Sequence, residues 1–153
     1  MASLDYEDVF NSFLGNITDH KLLTLDESDV SELLMEYLHK SISQAYIFSL
    51  FDDVELDDDS EVISYELKYE ISESLDREFL IYVLGKAMVL EWVTPQVQST
   101  LNTMQGYFGK EQKYYSQANH LNELRGLKDD IELEIRRRIR DRGSFNNSYL
   151  GGS

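Results

Sequence analysis

The chain has 153 residues, the size of one ordinary domain, with enough apolar (42%) and aromatic (12%) content for a real core. One proline and no cysteine exclude disulfides and thiolate metal sites. The net charge of −15 is uneven: residues 110–142 hold nine Lys/Arg against seven Asp/Glu, and residues 1–109 hold five against twenty-two.

Met1–Asp8 is acidic and lacks an apolar run, so it does not read as a signal peptide. Tyr6, Val9, Phe10, Phe13 and Leu14 recur at helical spacing, and Gly15 is the expected stop of a first helix over 5–15. Asn16–Leu25 reads as a connector. Ser28 is the candidate N-cap of a second helix to about Tyr46, striped by Val30, Leu33, Leu34, Tyr37, Leu38 and Ile42. Phe51–Glu61 reads as an acidic loop. Val62–Ile71 alternates apolar and polar residues, which predicts an extended segment. It could pair locally with Val54–Leu56 or add to another subunit. Tyr65, Leu67 and Tyr69 are the candidate intersubunit residues.

Ser74 is the expected cap of a helix that is apolar almost all round from Phe79 to Val93. Glu78, Gly85, Lys86 and Glu91 break the run, so it does not read as a membrane span. Pro95 should stop or kink it, with Thr94 capping a short helix to about Asn102. Gln105–Lys113 reads as a loop. Ser116 then caps a last helix striped by Leu121, Leu124, Leu127, Ile131, Ile135 and Ile139, ending near Arg142 with Gly143 as its stop. Residues 143–153 are expected to be a C-terminal arm with Phe145, Tyr149 and Leu150 as anchors. The fold class is therefore mainly α: a small helical bundle over 1–142, one extended segment near 62–71, and the arm.

No residue pattern points to catalysis. Asp57-Asp58-Asp59-Ser60-Glu61 lacks the glycine an EF-hand needs, and His20, His39 and His120 have no partners at metal-helix spacing. Neither a nucleophile elbow nor a phosphate loop occurs, so no enzyme activity, metal or cofactor is expected. Arg136, Arg137, Arg138, Arg140 and Arg142 admit two readings. They complement a helix dipole and pair with Asp130, Glu132, Glu134 and Asp141, or they contact an acidic partner. Under the second reading Arg136, Arg137 and Arg140 join the arm as the partner interface.

Two stretches, Leu84–Val97 (LGKAMVLEWVTPQV) and Tyr114–Arg125 (YYSQANHLNELR), with the Asn-Asn-Ser-Tyr tail from Asn146, carry a family likeness. The chain resembles head-to-tail connector (adaptor) proteins of long-tailed phages and prophages of Gram-positive bacteria. The resemblance implies a virion protein of the neck, assembled in the host cytoplasm. It would form a ring, commonly twelve-fold, below the portal protein. That ring would extend the channel through which genomic DNA passes without sequence-specific binding, and would dock the next neck or tail-completion protein. The rival readings are an acidic DNA mimic that inhibits a nucleic-acid-binding protein, and another neck or tail-completion protein.

Overall fold

The computed structural model describes residues 1–17, 27–106 and 111–151, with side chains over 1–17, 28–104 and 112–143. The element order is β1 (Ala2–Asp5), α1 (Tyr6–Asn16), α2 (Glu27–Ser43), α3 (Ala45–Phe48), β2 (Phe51–Asp57), β3 (Val62–Leu67), α4 (Glu73–Gly106) and α5 (Glu111–Gly151). The fold is mainly α, with a small antiparallel sheet set against the helices.

The core is built around α4. Leu80, Val83, Leu84, Ala87 and Met88 are buried, as the nearly continuous apolar run requires. The helix packs on α1, α2 and α5. Tyr6, Val9 and Phe13 come from α1, Leu38 from α2, Ile47 from α3 and Ile135 from α5, all fully buried. Gly85 marks the closest approach of α1 to α4. A side chain there would meet Ser12 Cβ at 2.9 Å and the Phe13 nitrogen at 3.3 Å. Gly fits here because only a residue without a Cβ admits the Ser12 side chain so close to the helix.

The alternating segment is β3, and it is the central strand, in the order β1-β3-β2. Ala2 pairs with Tyr65 and Asp5 with Val62 on one side; Phe51 pairs with Leu67 and Asp57 with Val62 on the other. Of the two expected pairings, the local one with Val54–Leu56 is observed and the intersubunit one is corrected, because both edges of β3 are filled from its own chain. Tyr65 and Leu67 are buried in the core, while Tyr69 lies past the strand and is exposed. The acidic loop is corrected in the same way. Its first half is β2, held by the register of Val54 with Tyr65 and Leu56 with Ile63. A bulge between Phe51 and Asp53 shifts the inward positions from Phe51 to Val54 and Leu56, which hides the period-two signal.

Both ends of α4 and both ends of α5 differ from expectation. Pro95 lies inside α4 and does not stop it. Its missing N–H leaves a gap in the helical ladder. Thr94 Oγ1 donates to the Leu90 carbonyl at 2.7 Å and Gln96 Nε2 donates to the Trp92 carbonyl at 3.2 Å, so side-chain bonds flank the gap. Thr94 is therefore not a cap. Nor is Ser74: Ser72 Oγ accepts from the Leu75 N–H at 3.3 Å, and Asp76 accepts from the Ile71 N–H at 3.2 Å. In α5, Ser116 lies inside the helix, and Gly143 does not end it. A lone glycine costs a helix only about 1 kcal/mol, which neighbouring turns can absorb. The backbone of residues 144–151 continues α5, in place of the expected arm. The side chains of Phe145, Tyr149 and Leu150 lie outside the described residues, as do His20 and most of the Asn16–Leu25 connector.

Candidate functional site

The register of α5 on α4 is fixed by charged and aromatic contacts. Lys86 Nζ lies 2.9 Å from Glu134 Oε2, Arg138 stacks over Tyr82 at 4.8 Å, and Arg142 stacks over Phe79 at 4.6 Å. The two helices of this hairpin run antiparallel over 34 and 41 residues, roughly 50 and 60 Å at 1.5 Å per residue. The body's apolar core reaches only as far as Trp92 on α4 and Leu127 on α5. Beyond that point the two helices form an arm. Among the described residues, burial there is confined to Val93, Thr100, Leu121 and Leu124.

The arm differs chemically from the body. Residues 92–122 carry three charged side chains, Lys110, Glu111 and Lys113, in a chain that holds forty-three. Its surface is Gln, Asn, Ser and Thr, with Val97, Leu101, Met104 and Ala118 half-buried. Tyr114 and Tyr115 stack edge-to-face at 6.0 Å, and Tyr115 is 64% exposed. Depletion of charge with enrichment of aromatics is the composition of an interface core.

The arginine segment separates into two groups. Arg142 is internal: its guanidinium lies 2.5 Å from Asp76, donates to the Tyr69 carbonyl at 2.8 Å, and is 11% exposed. Arg138 is spent partly on Tyr82. Arg136, Arg137 and Arg140 are exposed. They do not converge with Tyr65 and Leu67, which the core has taken.

Arg136 and Arg140 rim a cleft of about 440 Å³ between α3 and α5, floored by Leu50 and Ile139 and walled by Tyr46. Glu132 closes one end. Burial first, then Glu132 and Glu91, raise the Tyr46 phenol above its ordinary pKa, with Arg136 acting the other way. The arginines are visible in the sequence; the cleft is not. Glu132, Arg136, Ile139 and Arg140 share one helix face, but Tyr46 and Leu50 come from a distant segment and give no local signal.

The acidic turn after β2 is a structural joint. The Asp57 carboxylate accepts from the Asp59 and Ser60 N–H groups at 3.0 and 3.2 Å. Those bonds, led by Ser60, hold its pKa below the usual carboxylate range. The Tyr6 hydroxyl donates to Asp58 Oδ1 at 2.7 Å, and His39 Nε2 lies 2.8 Å from the same oxygen. Tyr6 and then His39 keep the Asp58 carboxyl low; burial and Asp58 push the Tyr6 phenol up. Glu61 sits at φ 56°, and its carbonyl accepts from the Tyr6 N–H at 2.9 Å. His120 is exposed on the arm. Among the described residues no three His, Asp or Glu converge as metal ligands would, and no helix is long and apolar enough to cross a membrane.

Set beside known proteins, the chain matches no family model, no curated protein and no solved structure.

Proposed function

We propose that this chain is a structural assembly protein, a head-to-tail connector subunit that forms a ring below a phage portal and docks the next neck component. The observation that supports this reading is the arm. Like-charged bodies of −15 repel, so copies of this chain can pack closely only where charge is sparse. The arm supplies such a surface, with apolar and aromatic groups that its own thin two-helix core leaves partly open. In the assembled ring the arm packs against neighbouring subunits, and the acidic body faces the DNA path without gripping it. Residues 84–97 and 114–125, which carry the resemblance, fall largely on this arm and its root.

Native mass spectrometry of the purified protein, alone and with portal protein, tests the reading. The expected result is a ring on or beside the portal, lost in a Val97→Glu/Tyr115→Glu variant that keeps its helical circular dichroism. A chain that stays monomeric with portal at micromolar concentration sinks it. Tight one-to-one capture of a nucleic-acid-binding protein, with no ring, supports the DNA-mimic reading instead.

A further inference from the structure

The exposed arginines of α5 have lost both of their internal explanations. A helix dipole acts only within the last turn. Arg136 and Arg140 stand fifteen and eleven residues before the end of α5 at Gly151, too far for the dipole to favour them. Pairing within the helix also fails to use them. Neither Arg136 nor Arg137 makes an ion pair among the described residues, and Arg140 reaches only Asp141 at 4.0 Å, where both side chains are over 70% exposed. Such a pair contributes little. Three solvated guanidinium groups thus sit together on an acidic protein with no internal role among the described residues.

Their position gives them one. Arg136 and Arg140 are one helical turn apart, so their forks point to the same side. Between them and α3 lies the cleft floored by Leu50 and Ile139, within the size range of built ligand sites. It runs on through Ser49, Leu50 and Ile139 into a smaller cleft of about 200 Å³ beside Lys68 and Arg142. The acids nearby, Glu132 and Glu91, lie at the Tyr46 end. Asp141 flanks Arg140 on the outside, and Asp76 is already taken by Arg142. The groove is therefore basic along its α5 rim, apolar on its floor and acidic at one end.

We infer that this groove docks an acidic peptide segment of a partner protein, one that carries a large apolar side chain next to its carboxylates. The apolar side chain enters the cleft over Leu50 and Ile139. The neighbouring carboxylates take the forks of Arg136 and Arg140, a geometry suited to bidentate bonds. Glu132 and Glu91 set the direction, because they repel the acidic end of the segment from the Tyr46 side. A nucleic acid would satisfy the arginines but meet the acids and leave the apolar floor empty. The site needs no ring to form and does not depend on the connector reading.

Fluorescence anisotropy of the full chain with a labelled peptide of alternating Asp, Glu and Leu tests the inference. The expected result is saturable binding, weakened roughly tenfold or more by Arg136→Glu/Arg140→Glu and steeply by added salt. Because both side chains are exposed, the variant should melt as the parent does. Replacing the peptide's leucines by serine should weaken binding comparably. Absence of binding up to about 1 mM overturns the proposal. So does equal binding by the double variant, or equal binding of the serine peptide. A parent chain that dimerises alone, and is made monomeric by the double variant, also overturns it by giving the groove to a second copy.

Discussion

Asp76 and Arg142 meet at 2.5 Å although they lie 66 residues apart, and both are nearly buried, at 8% and 11% side-chain exposure. Asp76 stands in the first turn of α4, where it also receives the Ile71 N–H. Arg142 also holds the Tyr69 carbonyl and covers the Phe79 ring. One pair thus ties α5 to the start of α4 and to the segment leaving β3.

Removing either partner leaves the other desolvated and alone. Arg142→Ala and Asp76→Ala should each lower stability by about 2–4 kcal/mol, and the double variant by less than their sum. Urea unfolding of the three variants checks this. Additive losses would mean that the two residues act separately.

Gly85→Ala should cost about 1–3 kcal/mol, because the new methyl drives into Ser12 and the backbone of Phe13. Ser12→Gly in the same chain should recover part of the loss. A thermal melt that leaves Gly85→Ala at the parent's Tm would show that α1 can move away freely.

The acidic turn makes stability depend on pH. The carboxyls of Asp57 and Asp58 are held below the usual carboxylate range in the folded chain, by the Ser60 bonds and by Tyr6 and His39 respectively. A group with a depressed folded pKa contributes stability above its unfolded value and loses it as pH falls through the folded one. The parent should therefore lose stability below about pH 4. Asp58→Asn should be weaker than the parent at pH 7, by about 1 kcal/mol, with the difference shrinking by pH 3. A gap between the two melting curves that stays constant with pH would refute the assignment.

Glu61→Gly should stabilise the fold by roughly 0.5–1 kcal/mol, since φ 56° strains any residue with a Cβ and the Tyr6 bond uses only the Glu61 backbone. Equilibrium denaturation measures it, and a loss of stability would give the Glu61 side chain a role that the geometry does not.

Periodic stripes were legible in the sequence. Leu121 to Ile135 on α5, Phe79 to Val93 on α4 and Ile63 to Leu67 on β3 each bury the face that their spacing marks. Punctuation was not. Pro95 and Gly143 normally end helices, yet both sit inside long ones, where side-chain bonds and neighbouring turns offset their cost. The sheet was half-read because β1 has only four residues and β2 is four-sevenths acid, so neither shows a strand composition. The sequence offers β3 only Val54–Leu56 as a local partner and leaves its other edge open, so Tyr65 and Leu67 read as subunit-boundary residues when they belong to the core. The arginines stood out by composition alone. The cleft beside them depends on how Tyr46 and Leu50 fold back, which no local pattern encodes.

The bulged outer strand β2 presents Asp52, Asp53 and Glu55 to solvent along one open margin of the sheet. While those carboxylates are ionised, the margin rejects a strand offered by any other molecule. Near the isoelectric point of about 4.4 the net charge, and with it the colloidal repulsion between molecules, vanishes. Mild acid should then turn a freely dispersed protein into one that precipitates with its helices folded, and through surfaces other than this charged margin.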